Sequence, residues 1–128
     1  MLSHVTLGVS DVEAACRFYG PLLEALGLVP KFADAKWAGW KHPEAERPLF
    51  IVTRPFDGKA ASAGNGQMLA FAAATRAVVD ACHALALRHG ASDEGRPGLR
   101  PEYHAHYYGA YVRDPDGNKL CICCHASE

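Results

Sequence analysis

The chain has 128 residues and a mass of 13.8 kDa, with 49% hydrophobic and 21% charged residues, enough for one compact core and too short for a second independent domain. Thirteen basic and fourteen acidic side chains give a formal net charge of -1, split seven against seven in residues 1–64 and six against seven in residues 65–128. Without a basic excess no nucleic-acid partner is expected, and without a long apolar run or a basic-then-apolar leader at Met1-Leu2-Ser3-His4 no membrane role is expected either.

In chain order, Val5 to Val9 is a short apolar run rich in β-branched residues, which predicts a strand ending at Ser10-Asp11. Ser10 and Glu13 have the spacing of a capping box, in which hydroxyl and carboxylate satisfy the free N–H groups of a helix start. The helix that follows carries Val12, Ala15, Cys16 and Tyr19 on one stripe. Gly20-Pro21 is expected to interrupt it, since proline removes one donor and clashes with the preceding turn. A short helix then restarts through Leu22, Leu23 and Leu26 and stops at Gly27. Strands are expected at Leu28–Phe32, Lys36–Lys41 and Leu49–Arg54, and Pro55–Gly66 reads as a flexible connection.

After it the opening pattern returns. Gln67 to Ala72 is strand-like, Thr75 is placed to cap, and Val78, Val79, Cys82, Leu85 and Ala86 recur at helical spacing up to His89-Gly90. A shift of 64 positions carries Ser10-Asp11 onto Ala74-Thr75 and Gly27 to the neighbour of Gly90. The Gly- and Pro-rich segment Gly95–Pro101 reads as a connection into a strand at Tyr107–Arg113, and Asp114-Pro115-Asp116-Gly117-Asn118 has hairpin-turn chemistry. Lys119–His125 is the closing strand. The chain is thus one domain, residues 1–128, made of two modules of about 1–55 and 66–125 joined by a linker at 56–65.

The duplicated layout, together with His4-Val5-Thr6-Leu7-Gly8-Val9-Ser10-Asp11, Phe18-Tyr19-Gly20-Pro21-Leu22-Leu23 and Arg113-Asp114-Pro115-Asp116-Gly117-Asn118-Lys119, resembles the vicinal oxygen chelate superfamily. This superfamily groups glyoxalase I, extradiol dioxygenases and the bleomycin and fosfomycin resistance proteins. The resemblance implies an α+β fold of two βαβββ modules forming a curved, incomplete barrel around a cavity. It also implies a homodimer, a small-molecule ligand and, in the enzymes, one divalent ion (Zn, Mn, Ni or Fe) that binds two oxygens of the substrate.

The family takes its metal ligands from the first and last strands of the modules, His on the former and Glu on the latter. His4 matches the first position. Met68 stands 64 residues on, where the second His belongs, and a thioether is a soft, weak donor toward these ions. Cys121 stands where the last strand should carry Glu, and Leu49–Arg54 has no carboxylate. The expectation is therefore a degraded or absent family metal site, with His4, Met68 and Cys121 at the family positions. The alternative is a metal-dependent lyase, isomerase or dioxygenase of the glyoxalase type. A rebuilt zinc site from His4, His104 or His106, and Cys121 is a further candidate by ligand type.

Alternation along the last strand puts Leu120, Ile122 and Cys124 on the helix side and Cys121, Cys123 and His125 on the other. Trp37, Tyr103, His104, Tyr107, Tyr111 and Arg113 are the candidate ligand-binding residues, because half-buried aromatics with polar tips suit a small-molecule cavity. Tyr108 and Trp40 read equally well as sheet packing, and Arg113 as an anchor of the Asp114 turn. Cys16 and Cys82 fall on helix stripes as small apolar groups, and His83 and His89 are expected in solvent. Five cysteines, three of them at 121–124, argue against a disulfide framework and for a reducing cytosol.

Overall fold

A computed structural model describes residues 1–128. Its elements run β1 (His4–Gly8), α1 (Val12–Ala25), β2 (Val29–Ala33), β3 (Trp37–Lys41), β4 (Leu49–Thr53), β5 (Leu69–Ala72), α2 (Arg76–Arg88), β6 (Ser92–Leu99), β7 (Tyr108–Arg113) and β8 (Lys119–Cys124). They form two four-stranded sheets of orders β1-β4-β3-β2 and β5-β8-β7-β6, in each of which the first strand pairs parallel with the last. The expected α+β architecture of two βαβββ modules is what the chain adopts, with two open four-stranded sheets.

The repeat is visible bond by bond. The Val9 backbone N–H donates to the Thr53 carbonyl and that of Ala73 to the Cys123 carbonyl, the same link in each half. The two helix caps, Asp11 and Thr75, are also 64 positions apart. This register makes Met68 the counterpart of His4, although Met68 falls one residue before β5 and is exposed.

Each helix lies on its own sheet, and α1 packs on α2. A single core of 20 buried residues results, taking Phe18, Tyr19, Leu22 and Leu23 from α1, Val79 and Cys82 from α2, and the inward-facing residues of both sheets. Leu120, Ile122 and Cys124 belong to this core, while Cys121 and Cys123 occupy the opposite face of β8, as alternation requires. Since the helices meet in the middle, both remaining sheet faces point away from the centre of the chain.

Several local expectations are corrected. The helix does not break at Gly20-Pro21: α1 runs unbroken to Ala25 with Pro21 inside it. The bond that Pro21 cannot donate would end on the carbonyl of Arg17, an exposed residue. Complete burial of Leu22 and Leu23 just beyond holds the last turns in place. The cap is Asp11, whose carboxylate accepts from Ala14 N–H at 3.2 Å, rather than a box between Ser10 and Glu13. Ser10 instead donates its backbone N–H to Asp116 of the other half, at 3.1 Å. The expected stop at Gly27 holds: it sits at φ 85, with Gly27 N–H donating to Glu24 O and Leu28 N–H to Leu23 O, a Schellman end.

The segment Gly95–Pro101, expected as a connection, lies largely within edge strand β6, which has two register irregularities against β7. Edge strands tolerate Pro because their outer N–H groups need no partner. His83 is not solvated; it is buried, with Nε2 3.0 Å from Asp93 Oδ1, and this contact ties α2 to β6. Gly20 faces open space within α1. Gly20→Ala is therefore expected to raise the free energy of unfolding by about 0.5–1 kcal/mol, read as a higher urea midpoint with an unchanged slope.

Candidate functional site

On the outward face of the C-terminal sheet, the segment between β6 and β7 folds back and lays Tyr107 over Gly109. A Cβ on that glycine would lie 2.8 Å from the Tyr107 ring. Without a side chain at 109, the ring settles on the sheet and its hydroxyl reaches Tyr111 Oη at 3.0 Å and Cys121 Sγ at 3.5 Å. Tyr111 and Cys121 are cross-strand partners on β7 and β8, which explains why one hydroxyl touches both. Burial, then the hydrogen bonds to Cys121 and Tyr111, push the Tyr107 hydroxyl well above its ordinary pKa. Burial also raises that of Tyr111. Both stay neutral donors at physiological pH.

Beside this pair, His104 Nε2 lies 2.8 Å from His125 Nδ1 with the rings stacked, and His125 Nε2 lies 3.6 Å from Cys123 Sγ. The tautomers follow from the hydrogen-bond network. His106 N–H donates to His104 Nδ1 at 3.1 Å, so the His104 proton sits on Nε2 and is donated to His125 Nδ1. The His125 proton is then on Nε2, facing the Cys123 sulfur. Tyr103 packs edge-on against Tyr107. Two cations stand over the Tyr111 ring, the Arg100 guanidinium 5.6 Å and the Lys119 ammonium 5.9 Å from its centre.

Five residues singled out from the sequence, Tyr103, His104, Tyr107, Tyr111 and Cys121, thus gather at one place. The others do not join them. Trp37 lies on the outward face of the N-terminal sheet, where it shares an open groove with His4, Thr6, Thr53 and Phe56. Arg113 is held by Glu94 and by the Gly117 carbonyl, the latter at 2.9 Å, and so acts as the anchor of the turn. Tyr108 donates to Asp80 at 2.6 Å, and Trp40 is core. Cys82 is core as expected, and burial raises its thiol to about 11. Arg100, Lys119 and the ordering of His125 escaped the sequence reading. Lys119 shares the face of Cys121 by alternation, which was the one available signal.

The residues at the positions where the resemblance implies a divalent ion do not come together. His4 is exposed and bonded to Ser3 Oγ at 2.9 Å, Met68 lines a different cleft beside Lys119, and Cys121 is fully buried beneath Tyr107. His104 and His106 sit in a turn rather than on an extended strand, and the turn directs His104 to His125. No three His, Cys, Asp or Glu side chains converge closely enough to hold an ion. The family positions supply one imidazole, one thioether and one thiol, and no carboxylate. That set does not fit a hard or borderline divalent ion.

Two βαβββ units, each a four-stranded sheet carrying one helix, define the class of α+β fold to which the chain belongs. The glyoxalase/bleomycin resistance protein/dioxygenase superfamily model matches residues 1–122, and the chain belongs to that superfamily. It is 38% identical to a glyoxalase/bleomycin resistance protein from Albidiferax ferrireducens T118, over 98% of this chain and 99% of that one, with a TM-score of 0.86. A glyoxalase-related enzyme from Fulvimarina pelagi (23% identity, TM-score 0.73, 97% of this chain and 87% of that one) shares the fold. So does a glyoxalase/bleomycin resistance protein/dioxygenase family enzyme from Burkholderia phytofirmans PsJN (19%, TM-score 0.73, 97% and 98%). No curated protein matches the chain. No helix is long and apolar enough to cross a membrane, and all five cysteines are free.

Proposed function

We propose that the protein binds a small aryl carboxylate, or a ring compound bearing a carbonyl, in a cavity closed by a second copy, without the divalent ion of its family. The observation that carries this reading is the cluster of Tyr107, Tyr111, His104 and His125 under Arg100 and Lys119. Flat aromatic faces there would stack a ring, the tyrosine hydroxyls would hydrogen-bond its oxygens, and two cations would offset its charge. A homodimer supplies the missing wall. Trp37, Phe56 and Tyr103 are exposed on the two outward faces, and pairing the N-terminal sheet of one copy with the C-terminal sheet of its partner buries them together. The free thiols suit a reducing cytosol.

The reading is tested on tag-free protein. Calorimetric titration with 4-hydroxybenzoate and with 2-oxo acids should show saturable binding by a species with twice the chain mass in light scattering. Arg100→Ala and Tyr107→Ala should weaken that binding by about tenfold or more, the worth of one charge-assisted contact in a partly dry site. Zn, Mn, Ni and Fe per chain, measured after supplementation and again in His4→Ala, should be far below one equivalent. Near-stoichiometric metal that disappears in His4→Ala overturns the metal-free reading and favours a metal-dependent lyase, isomerase or dioxygenase of the glyoxalase type.

A further inference from the structure

The inner face of α2 carries one polar side chain among apolar ones. Val79, Cys82 and Ala86 of that helix enter the core, and His83, 7% exposed, lies beside them. Burying an imidazole there costs desolvation that an apolar residue would not, unless the ring is hydrogen-bonded. Its Nε2 lies 3.0 Å from Asp93 Oδ1 and must be the donor, because a carboxylate only accepts. That bond, before any other cause, holds the Asp93 carboxyl below its ordinary pKa, and the Gly95 N–H, donating to the same oxygen at 2.9 Å, adds to the effect. Asp93 pairs with Val112 and Gly95 with Tyr111, so the first register shift of β6 falls between them. The bond from α2 thus grips β6 where its ladder is irregular.

Within the second shift, between Gly95 and Gly98, the Arg96 carbonyl accepts from Arg100 Nη2 at 2.7 Å, so the arginine folds back along its own strand. Glycines make the room. A Cβ at position 98 would lie 3.0 Å from Arg100 Nη1, and one at 95 would lie 3.4 Å from Nη2 and 3.0 Å from Tyr111 Cδ2. The guanidinium comes to rest 5.6 Å from the centre of the Tyr111 ring. We propose that His83 and Asp93 are positioning residues for Arg100: their bond fixes the irregular course of β6, and the Arg96 carbonyl on that course holds the guanidinium over Tyr111.

A side chain as long as arginine samples many rotamers, and ordering it on binding costs affinity. Held in advance between the Arg96 carbonyl and the Tyr111 face, Arg100 has already lost that freedom, and its remaining N–H groups are left for a carboxylate. An apolar residue at 83 would still pack α2 on its sheet, but it would release the carboxylate that holds Gly95. A helix on the inner face of the sheet therefore controls anion affinity on the outer one. That effect on affinity rests on the aryl-carboxylate reading, whereas the placement of Arg100 does not.

Two readouts on the full-length protein test the link. In the ligand-free chain, nuclear Overhauser contacts between the Arg100 side chain and the Tyr111 ring should be present. They should vanish in His83→Leu, which keeps the bulk and removes the donor, and return in His83→Gln, whose amide N–H replaces the imidazole Nε2–H. Calorimetry with 4-hydroxybenzoate should show affinity lower by about three- to tenfold in His83→Leu, the range for coupling through a packed neighbour, and restored in His83→Gln. In an Arg100→Ala background His83→Leu should bring no further loss of affinity. Asp93→Ala, at a solvent-exposed position, should act as His83→Leu does and keeps the test open if leucine at 83 disturbs the core. Overhauser contacts that persist in both variants, with only a lowered urea midpoint, make the pair a structural tie and overturn the proposal. So does an affinity loss that is undiminished when Arg100 is already alanine. If the unaltered chain binds no 4-hydroxybenzoate, the aryl-carboxylate reading fails, and the Overhauser contacts alone decide the placement of Arg100.

Discussion

Asp114→Ala is expected to destabilise the fold by about 3–5 kcal/mol, the range for removing a charged partner from a buried hydrogen-bonded network. The Asp114 side chain is 4% exposed and accepts from four donors. Oδ1 takes the backbone N–H groups of Asp116 and Asn118, each at 2.9 Å, and Oδ2 takes the Asn118 amide at 3.0 Å and the Tyr19 hydroxyl at 2.5 Å. Tyr19 comes from α1 of the first half, and the Asn118 amide also donates to the Gly8 carbonyl at the end of β1. One carboxylate therefore pins the hairpin turn, a helix and a strand from opposite halves of the chain. Alanine leaves the buried Tyr19 hydroxyl and one of the two Asn118 amide N–H groups without an acceptor, the other still donating to Gly8.

Tyr19→Phe removes one donor and strands only a carboxylate that keeps three others, so it should cost about 1–2 kcal/mol. The double variant should cost less than the sum of the two single changes by about 1–2 kcal/mol, because both act on the same bond. Urea unfolding followed by circular dichroism reads all three. Strict additivity would show that the turn and the helix are not coupled through Asp114. A loss below about 1 kcal/mol in Asp114→Ala would show that the turn holds without the pin.

The same residues show what a sequence can disclose. Asp114-Pro115-Asp116-Gly117-Asn118 is legible as a turn, because proline fixes one dihedral and Gly117 takes the positive φ, here 89. Its bonds to Tyr19 and Gly8 span 95 and 110 positions, and no local rule reaches so far. The continuity of α1 through Pro21 was hidden for a similar reason: local propensity argues for a break, and the burial of Leu22 and Leu23 overrules it. Strand faces were readable from alternation, which placed Cys121 and Cys123 correctly opposite Leu120 and Ile122. The candidate site was half readable. Tyr107 and Tyr111 announce themselves as aromatics near a strand, but His104 meets His125 only because residues 101–106 form a turn, which the local spacing of His104 and His106 does not disclose. Arg100 was hidden in a segment that looked like a linker and directly follows an edge strand.

Gly109→Ala is expected to weaken binding as far as Tyr107→Ala does, although it removes no polar group. Position 109 has no positive φ, so alanine fits the backbone of β7, and the conflict is purely with the ring above it. A methyl group 2.8 Å from the Tyr107 ring lies well inside van der Waals contact, so the ring must lift. Lifting it breaks the bonds to Tyr111 and Cys121 together, takes away the surface on which Tyr103 packs edge-on, and disturbs His125, whose ring meets Tyr107 edge-on. Affinity for 4-hydroxybenzoate should fall about as far as in Tyr107→Ala, by tenfold or more. Stability should drop by only about 1–2 kcal/mol, because the ring is half-buried and moves toward solvent rather than into the core. Adding Gly109→Ala to Tyr107→Ala should then cost nothing further in either measurement, since the alanine at 107 leaves no ring to displace. A second full loss in the double variant would mean that Gly109 matters for the strand itself and that the ring above it is incidental.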